Sequence, residues 1–268
     1  MRICILAMDG LESLWVRSWR LRSLLQEYNG EIPLNDFIEK YERIHSLEIW
    51  FTFLTGKMPE SRLSWYKVKY SRYFIKMLLK SMGLYHLAKN LLMKHKPSFL
   101  LQYENVRNYG SNSLPEIIKP SAVINMILYD KNYGSNMARL AKAINVSLKE
   151  YEKEAYRQFR LTKEKLFEAI AQQERYKLIL AYFRLADSIG HVFNNNRRKL
   201  FKAYIALDRL AYLVRREYDG AILILSDHGM TSEGEHSTRS FWSLNIRPLF
   251  IPRSIADLNK LVTEIVKM

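Results

Sequence analysis

Three short apolar runs constrain the fold of this 268-residue chain more than any other feature of its sequence. They are Ile3 to Met8, Leu178 to Phe183 and Ala221 to Leu225. Each is about the length of one strand, and its continuous apolar character is typical of a strand that is covered on both faces. A fourth, weaker candidate extends from Ala122 to Tyr129. A sheet built from such strands needs a layer of helices on each side.

Segments with helical patterning separate these runs and supply candidates for the two layers. The predicted helices extend from Ser46 to Leu54, from about Leu148 to Gln173, from Phe193 to Tyr218 and from Ile255 to Val266. Strands that alternate with helices of this length form βαβ units and a mainly parallel sheet. We therefore predict an α/β fold, a three-layer αβα sandwich, in a single domain of residues 1–268.

The chain is strongly basic, with 42 Lys and Arg against 27 Asp and Glu and a formal net charge of +15. This balance favours anionic partners, namely phosphorylated small molecules, nucleic acid or an acidic membrane surface. The alternative is that the basic residues only solvate helix faces. Between Lys57 and Lys96 the sequence has ten basic residues and the single acid Glu60. We interpret this stretch as part of a basic helical insertion at about residues 57–118.

Cysteine content and hydrophobic length bear on the compartment. Cys4 is the only cysteine, so the sequence has neither a disulfide framework nor a thiolate metal site. The first apolar run stops at Asp9, which makes it too short for a signal peptide. No stretch approaches the roughly 18 apolar residues of a membrane span. We therefore expect a soluble, cytoplasmic protein.

Carboxylates follow the three strong strand candidates closely. They are Asp9, Asp187 and Asp227. In an open α/β sheet, ligands bind outside the carboxyl ends of the strands, which is where these side chains are expected. Three carboxylates at one sheet edge would repel one another unless a positive group compensates them. A divalent metal ion would provide that compensation.

Histidines add to this signal, because three of the six in the chain fall in two short windows beside the carboxylates. The windows are Asp187 to His191 and Ser226 to His236. The triplet Asp227-His228-Gly229 alone is compatible with an ordinary turn, and we expect Gly229 to let the backbone turn after the ligands. The two windows together favour a metal site with imidazole and carboxylate ligands.

Four windows also have the order of motifs found in one group of enzymes. They are Met8-Asp9-Gly10-Leu11, Ser46 to Trp50 continuing through Thr52 to Pro59, Asp187 to His191, and Ser226 to His236 continuing through Ser240 to Asn245. These windows resemble motifs of the alkaline phosphatase superfamily, most closely those of the type I phosphodiesterase and nucleotide pyrophosphatase branch. The chain departs from that pattern at Leu47, where a proline usually follows the nucleophile, and at Ser61-Arg62, where His-Gly is frequent.

The resemblance implies an alkaline phosphatase-like fold that holds two divalent metal ions. One set of ligands would be Asp187, His191 and His236, and the other Asp9, Asp227 and His228 together with Ser46. Ser46 would also be the nucleophile, with Thr52 and Thr55 as rival hydroxyls. Mixed imidazole and carboxylate ligands suit zinc, with manganese and iron as alternatives. The implied reaction is an in-line displacement at phosphorus followed by hydrolysis of the resulting serine ester.

The resemblance therefore implies a metal-dependent phosphohydrolase, most directly a phosphodiesterase or nucleotide pyrophosphatase acting on a phosphate ester or nucleotide. Two alternatives stay open: a phosphomonoesterase of the same superfamily, and a non-catalytic, metal-binding relative that binds anionic partners. Contact of the Lys57–Lys96 stretch with nucleic acid or an anionic membrane also stays open. So do the oligomeric state and the choice between nucleotide, lipid headgroup and oligonucleotide substrates.

Overall fold

A six-stranded β-sheet forms the centre of the computed structural model, which describes residues 1–63, 112–130 and 133–268. Its strands are β1 Ile3–Met8, β2 Tyr28–Pro33, β3 Ser121–Ile124, β4 Leu178–Phe183, β5 Ala221–Leu225 and β6 Arg239–Leu244. The spatial order is β2-β6-β5-β1-β4-β3. Strand β1 pairs in parallel with β4 and β5, and β3 pairs in parallel with β4. The strand β6 is antiparallel to both β5 and β2, so the sheet is mainly parallel with an antiparallel edge.

Helices cover both faces of this sheet. The described helices are α1 Ser13–Ser18, α2 Arg22–Leu25, α3 Asn35–Tyr41, α4 Ser46–Thr55, α5 Leu114–Ile117, α6 Tyr133–Val146, α7 Leu148–Ile170, α8 Leu185–Phe193, α9 Arg197–Glu217 and α10 Ile255–Lys267. Alternate residues of β1 divide between the two layers, because successive side chains of a strand point to opposite faces. Ile5 packs in the core with α4 and α10, whereas Leu6 packs in the core with α7, α8 and α9. The predicted three-layer αβα sandwich is confirmed.

The three strong strand candidates coincide with β1, β4 and β5, but the fourth prediction was too long. Strand β3 ends at Ile124 rather than at Tyr129. Asn125 and Leu128 both have positive φ angles, of 55° and 64°, so the extended backbone cannot continue through them. The apolar character of this segment comes from a buried turn, in which Met126 and Ile127 reach the core.

Two of the helix predictions need correction at their ends. The helix predicted from Phe193 to Tyr218 begins later, at Arg197, because Phe193 is the last residue of α8. Asn196 caps α9, and its side chain accepts a hydrogen bond from the Lys199 amide at 3.1 Å. The helix predicted to reach Gln173 ends at Ile170 and is followed by a 3₁₀ turn at Gln173–Arg175.

The predicted basic insertion at about residues 57–118 lies mostly outside the described residues. Its described parts are residues 57–63, which follow α4, and residues 112–118, which include the short helix α5. Within the described ranges, no helix combines the length and the apolar character needed to cross a membrane.

Candidate active site

The sheet topology brings the three strand-end carboxylates together. Strands β5, β1 and β4 are neighbours and run in parallel, so their carboxyl ends lie at one edge. Asp9 directly follows β1, Asp227 follows β5 after one residue, and Asp187 lies in the first turn of α8. The Asp187 amide donates to the Asp9 carbonyl at 3.1 Å, and the Gly10 amide donates to Asp227 Oδ1 at 3.3 Å. Backbone hydrogen bonds therefore link the segments that carry the three carboxylates and fix their relative positions.

Asp9, Asp227 and His228 form the first cluster of candidate ligands, which we call the buried cluster. Each offers one ligand atom, and these atoms lie within 4.8 Å of one another. His228 Nε2 lies 3.5 Å from Asp9 Oδ1 and 3.3 Å from Asp227 Oδ2. None of the three side chains is more than 2% exposed. This is the second of the two ligand sets implied by the sequence resemblance.

Asp187, His191 and His236 form the other cluster, which we call the open cluster. Asp187 and His191 lie four residues apart on α8, so they share one helix face, and His191 Nε2 is 3.0 Å from Asp187 Oδ1. His236 Nε2 lies 3.1 Å from His191 Nε2 and 4.0 Å from Asp187 Oδ1. The His191 and His236 side chains are 38% and 23% exposed, respectively. Solvent therefore reaches this cluster.

The two clusters adjoin through their imidazole rings. His228 of the buried cluster stacks on His236 of the open cluster, with ring centroids 3.6 Å apart and an interplanar angle of 16°. The backbone contact between Asp187 and Asp9 links the clusters on the carboxylate side. The structure thus places the six carboxylate and histidine ligands predicted from the sequence in one continuous group.

All three histidines present the same nitrogen to the clusters. Each Nδ1 faces a backbone carbonyl, namely Gly229 at 2.8 Å for His228, Gly234 at 2.9 Å for His191 and Ile44 at 3.3 Å for His236. A carbonyl oxygen only accepts hydrogen bonds, so each of these Nδ1 atoms carries a proton. Every Nε2 is left to face the carboxylates. Backbone anchoring of Nδ1 with Nε2 directed inward is the usual arrangement of metal-binding histidines.

Ser46 lies beside the buried cluster at the first position of α4. Its Oγ is 3.0 Å from His228 Nε2 and 3.4 Å from Asp9 Oδ1. The side chain is partly accessible, and a helix N-terminus favours negative charge at this position. Trp50, one turn further along the helix, is buried and packs edge-on against Tyr182, with ring centroids 5.5 Å apart. The apolar side of α4 therefore holds the serine against the sheet.

The two rival hydroxyls are engaged within α4 itself. Thr52 is buried, and its Oγ1 donates to the Glu48 carbonyl at 2.7 Å. Thr55 Oγ1 donates to the Phe51 carbonyl at 2.8 Å, where the helix ends. Both contacts are ordinary back-bonds of helical threonines. Ser46 is thus the hydroxyl of these three that faces the carboxylates and the histidines.

Gly229 does not have the role expected from the sequence. Gly229 is not among the residues with positive φ, so it does not form a left-handed turn after the ligands. A Cβ at this position would lie 2.0 Å from Glu12 Oε2 and 2.5 Å from Ser237 Oγ. The glycine instead allows the His228 loop to pack closely against these two side chains. Left-handed glycines near the ligands are Gly10, where φ is +70° and a Cβ would lie 2.7 Å from Asp187 Cα, and Gly234, where φ is +81°.

Burial sets the ionisation of the buried cluster. It raises the pKa of Asp227 to about 6, and the negative charge of Asp187 acts in the same direction. Burial together with Asp187 and Asp227 also raises the pKa of Asp9 well above its ordinary value. Oδ2 of Asp227 is buried and accepts no hydrogen bond from any described residue. In this environment a bound cation would stabilise the charged carboxylates.

In the open cluster, charged neighbours as well as burial determine the pKa values. Burial alone would raise the pKa of Asp187, but the Arg184 guanidinium and His191 together hold it well below its ordinary value. The hydrogen bond with Asp187 in turn raises the pKa of His191. Burial lowers the pKa of His236 to about 3, and His228 adds to this effect. At neutral pH His236 is therefore a neutral imidazole, the form that binds metal ions.

These residues fit a pair of divalent ions. Each cluster combines carboxylate oxygens with inward Nε2 lone pairs, and the Nε2 atoms of His191 and His236 face each other at 3.1 Å. Two lone pairs at that distance need a proton or a cation between them. Asp227 Oδ2 accepts no hydrogen bond from the described residues and lies 3.3 Å from His228 Nε2, which points to the same requirement in the buried cluster.

Two residues around the clusters were not predicted from the sequence. Tyr182, in β4, directs its hydroxyl to Asp9 Oδ2, and Arg184 contacts both Asp187 and Asp9. Tyr182 is part of an apolar strand and has no distinguishing signal in the sequence. Arg184 had a weak one, because a basic residue directly after a buried strand and three before Asp187 is placed to pair with it.

A comparison with known protein families identifies the family of the chain. Residues 68–242 match the sequence profile described as "Type I phosphodiesterase / nucleotide pyrophosphatase". The chain belongs to this family. The family indicates an activity of the phosphodiesterase or nucleotide pyrophosphatase type. The matched range includes Asp187, His191, Asp227, His228 and His236, whereas Asp9 and Ser46 lie upstream of it.

Other comparisons add little about this family member. No curated protein matches the chain. Among solved structures, that of the PH0037 protein from Pyrococcus horikoshii aligns over 99% of this chain and 96% of that chain, with 12% sequence identity and a TM-score of 0.44.

Proposed function

We propose that the chain is a metal-dependent phosphodiesterase or nucleotide pyrophosphatase, with Ser46 as its nucleophile. The observation that carries the proposal is the position of Ser46 Oγ, 3.0 Å from His228 Nε2 and 3.4 Å from Asp9 Oδ1, at the N-terminus of α4. A partly accessible hydroxyl beside two clusters of metal-ligand residues is the arrangement required for attack on a phosphate ester.

Two divalent ions, one in each cluster, are part of this proposal. The ligands would be Asp9, Asp227, His228 and Ser46 for one ion and Asp187, His191 and His236 for the other. When bound, such a pair stabilises charge on phosphoryl oxygens and favours ionisation of the serine hydroxyl. The imidazole content of both clusters supports zinc, with manganese and iron as alternatives.

The proposed reaction consists of two successive displacements at phosphorus. Ser46 Oγ forms a bond to phosphorus, and the bond from phosphorus to the leaving oxygen breaks in line with it. The hydroxyl proton is released, and the leaving group takes up a proton from solvent. Water then cleaves the phosphorus–Oγ bond and restores the hydroxyl. The stacked His228 and His236 rings and the Trp50–Tyr182 contact hold the serine in place for both displacements.

Metal analysis of the purified protein, together with hydrolysis of a chromogenic phosphodiester and the matching monoester, tests this proposal. We expect about two divalent ions per chain and faster hydrolysis of the diester, with loss of activity when a chelator is added and recovery when zinc returns. Faster hydrolysis of the monoester would favour a phosphomonoesterase. Bound metal without turnover of either ester would identify a non-catalytic relative. Full activity in metal-free protein would contradict the proposal.

A further inference from the structure

Among the described residues outside the predicted set, Arg184 contacts both clusters. It directly follows β4 and precedes α8. Its Nε and Nη2 lie 2.9 and 2.8 Å from Asp187 Oδ2, and its Nε lies 3.6 Å from Asp9 Oδ2. One guanidinium group therefore touches a carboxylate of the open cluster and a carboxylate of the buried cluster.

In both carboxylates the two oxygens have different partners, and the arrangement is the same. Oδ1 of Asp187 faces His191 Nε2 at 3.0 Å, and Oδ1 of Asp9 faces Ser46 Oγ at 3.4 Å and His228 Nε2 at 3.5 Å. Both Oδ2 atoms face Arg184, and that of Asp9 also accepts a hydrogen bond from the Tyr182 hydroxyl. One oxygen of each carboxylate is thus directed to the histidines, and the other is held from behind.

The guanidinium group is occupied by protein groups. Besides the two carboxylates, its Nη1 lies 3.4 Å from the Tyr133 hydroxyl and contacts Met137 Sδ. The Arg184 side chain is 26% exposed. Its described contacts are directed at the protein, so any effect on the reaction would pass through the carboxylates.

We propose that Arg184 is a positioning residue shared by both metal sites, which holds Oδ2 of Asp187 and of Asp9 so that each carboxylate offers Oδ1 to its ion. This inference rests on the proposed two-metal function. Asp187 Oδ2 accepts hydrogen bonds from Arg184, whereas Asp9 Oδ2 forms an ion pair with it at 3.6 Å and accepts its hydrogen bond from Tyr182. Outer partners of this kind fix the orientation of a ligating carboxylate and influence the affinity of the metal. A single outer residue that serves both ions makes the two sites depend on each other.

The planar shape of the arginine side chain matters for this role. A guanidinium group presents several N–H donors in a fixed plane and can hold two carboxylates at once, whereas the ammonium group of lysine acts as a compact point charge. Arg184→Lys should therefore keep the positive charge but weaken both contacts, because an ammonium group does not hold both Oδ2 atoms from one fixed plane. We expect the zinc affinity of Arg184→Lys to lie between that of the parent and that of the neutral variant Arg184→Gln.

Site-resolved zinc affinity, measured by competition with a chromogenic chelator, tests the proposal. Arg184→Gln should weaken both sites by about 10- to 100-fold, the range found for outer partners of metal ligands. Tyr182→Phe removes a partner of Asp9 alone and should weaken one site. The matched control is Arg216→Gln, because Arg216 Nε and Nη2 contact one oxygen of Glu217 at 2.9 and 2.7 Å at the exposed end of α9. It should leave both affinities at the parent value.

Cobalt substitution and kinetics separate positioning from other roles. We expect Co²⁺ spectra of Arg184→Gln to change for both ions, and its kcat to recover at high zinc concentration with KM unchanged. Unchanged zinc affinity at both sites would overturn the proposal, as would a raised KM with intact metal sites, which indicates substrate contact. If Arg184→Gln does not fold, the other two variants test the proposal. We expect two weakened sites in Arg184→Lys and one weakened site in Tyr182→Phe. Zinc affinities equal to those of the parent in both variants would overturn the proposal. A parent protein that binds no zinc would instead contradict the proposed function.

Discussion

The buried and open clusters contain the same types of side chain in different surroundings. In the buried cluster, Asp9, Asp227 and His228 are at most 2% exposed. In the open cluster, Asp187 is equally buried, but His191 is 38% exposed and His236 is 23% exposed. A metal ion in the buried cluster would be enclosed by protein except on the side of the partly accessible Ser46, whereas one in the open cluster would be more widely accessible to solvent and substrate.

The charges of the two clusters differ as well. Asp187 has a cationic partner in Arg184 and a hydrogen-bonded one in His191, so its carboxylate is stabilised without a metal ion. Asp227 has no comparable cation among the described residues, and its Oδ2 accepts no hydrogen bond from them. The comparison indicates that the buried cluster depends more strongly on a bound ion for stability. The open cluster is better suited to exchange and to contact with the substrate.

The largest expected effect concerns Ser46, which joins the buried cluster to the reaction. Ser46→Ala should lower turnover by at least ~10²-fold, because the nucleophile is lost while the residues that bind metal and substrate remain. Metal content should stay close to that of the parent, since three other ligands hold the ion. Steady-state kinetics and metal analysis of the same preparations check both parts. Parent-like turnover in Ser46→Ala would show that another group attacks phosphorus.

Removal of one ligand from each cluster tests the difference in enclosure. His191→Ala should lose the ion of the open cluster and keep the other, whereas His228→Ala should lose the enclosed ion and also the ring that stacks on His236. Chelation of the parent should proceed in two phases, with the open cluster emptied first. Metal content followed over time under chelation measures this order. Loss of both ions in a single phase would show that the two clusters do not differ in enclosure.

A smaller effect is expected on the stability of metal-free protein. Ionisation of Asp227, whose pKa is raised to about 6, opposes folding at neutral pH. Asp227→Asn should therefore stabilise metal-free protein by roughly 1 to 3 kcal/mol at pH 7.5, since one pKa unit corresponds to about 1.4 kcal/mol. Asp187→Asn should have the opposite sign, because it breaks the pair with Arg184. Denaturant unfolding in the presence of a chelator gives both values.

The raised pKa of Asp227 also predicts how the stability of metal-free protein changes with pH. A folded-state pKa above the unfolded value means that the folded protein binds more protons between about pH 4 and pH 6. The Asp227 contribution to stability should thus fall as pH rises through this window and then stay constant. To isolate this contribution, the unfolding free energies of metal-free parent and metal-free Asp227→Asn are measured across this pH window, and the second is subtracted from the first. A difference that is independent of pH would show that Asp227 does not titrate there.

The smallest effect is expected for the rival hydroxyls. Thr55→Ala removes a back-bond to the Phe51 carbonyl at the end of α4, far along the helix from Ser46. Activity and metal content should match those of the parent, with a change in stability below about 1 kcal/mol. Inactivation by Thr55→Ala with active Ser46→Ala would mean that the nucleophile was assigned to the wrong hydroxyl.

The sequence predicted the parallel part of the sheet well and its antiparallel edge poorly. Strands covered on both faces need continuous apolar runs, so β1, β4 and β5 were recognisable from composition alone. In the edge strand β2 only Ile32 is buried, and the strand includes Gly30 and Pro33. Such a strand is held mainly by its pairing with β6, and the sequence has no hydrophobic pattern to indicate it.

The candidate ligands were also accessible from sequence, because strand-end carboxylates and neighbouring histidines have recognisable spacing. The Asp187–His191 pair was expected directly after a strand, and it lies on α8, where a separation of four residues places both side chains on one face. The contacts of Arg184 with Asp9 and of Nδ1 of His236 with the Ile44 carbonyl join residues that are distant in the chain. Interactions of this kind depend on the tertiary structure and have no local pattern.

The most direct test of the two-metal account is an anomalous diffraction map of crystals of zinc-loaded protein, with data collected on both sides of the zinc absorption edge. We expect two peaks. One should lie among Asp187 Oδ1 and the Nε2 atoms of His191 and His236, and the other among the Asp9, Asp227, His228 and Ser46 ligand atoms. A single peak, or peaks away from both clusters, would contradict the account.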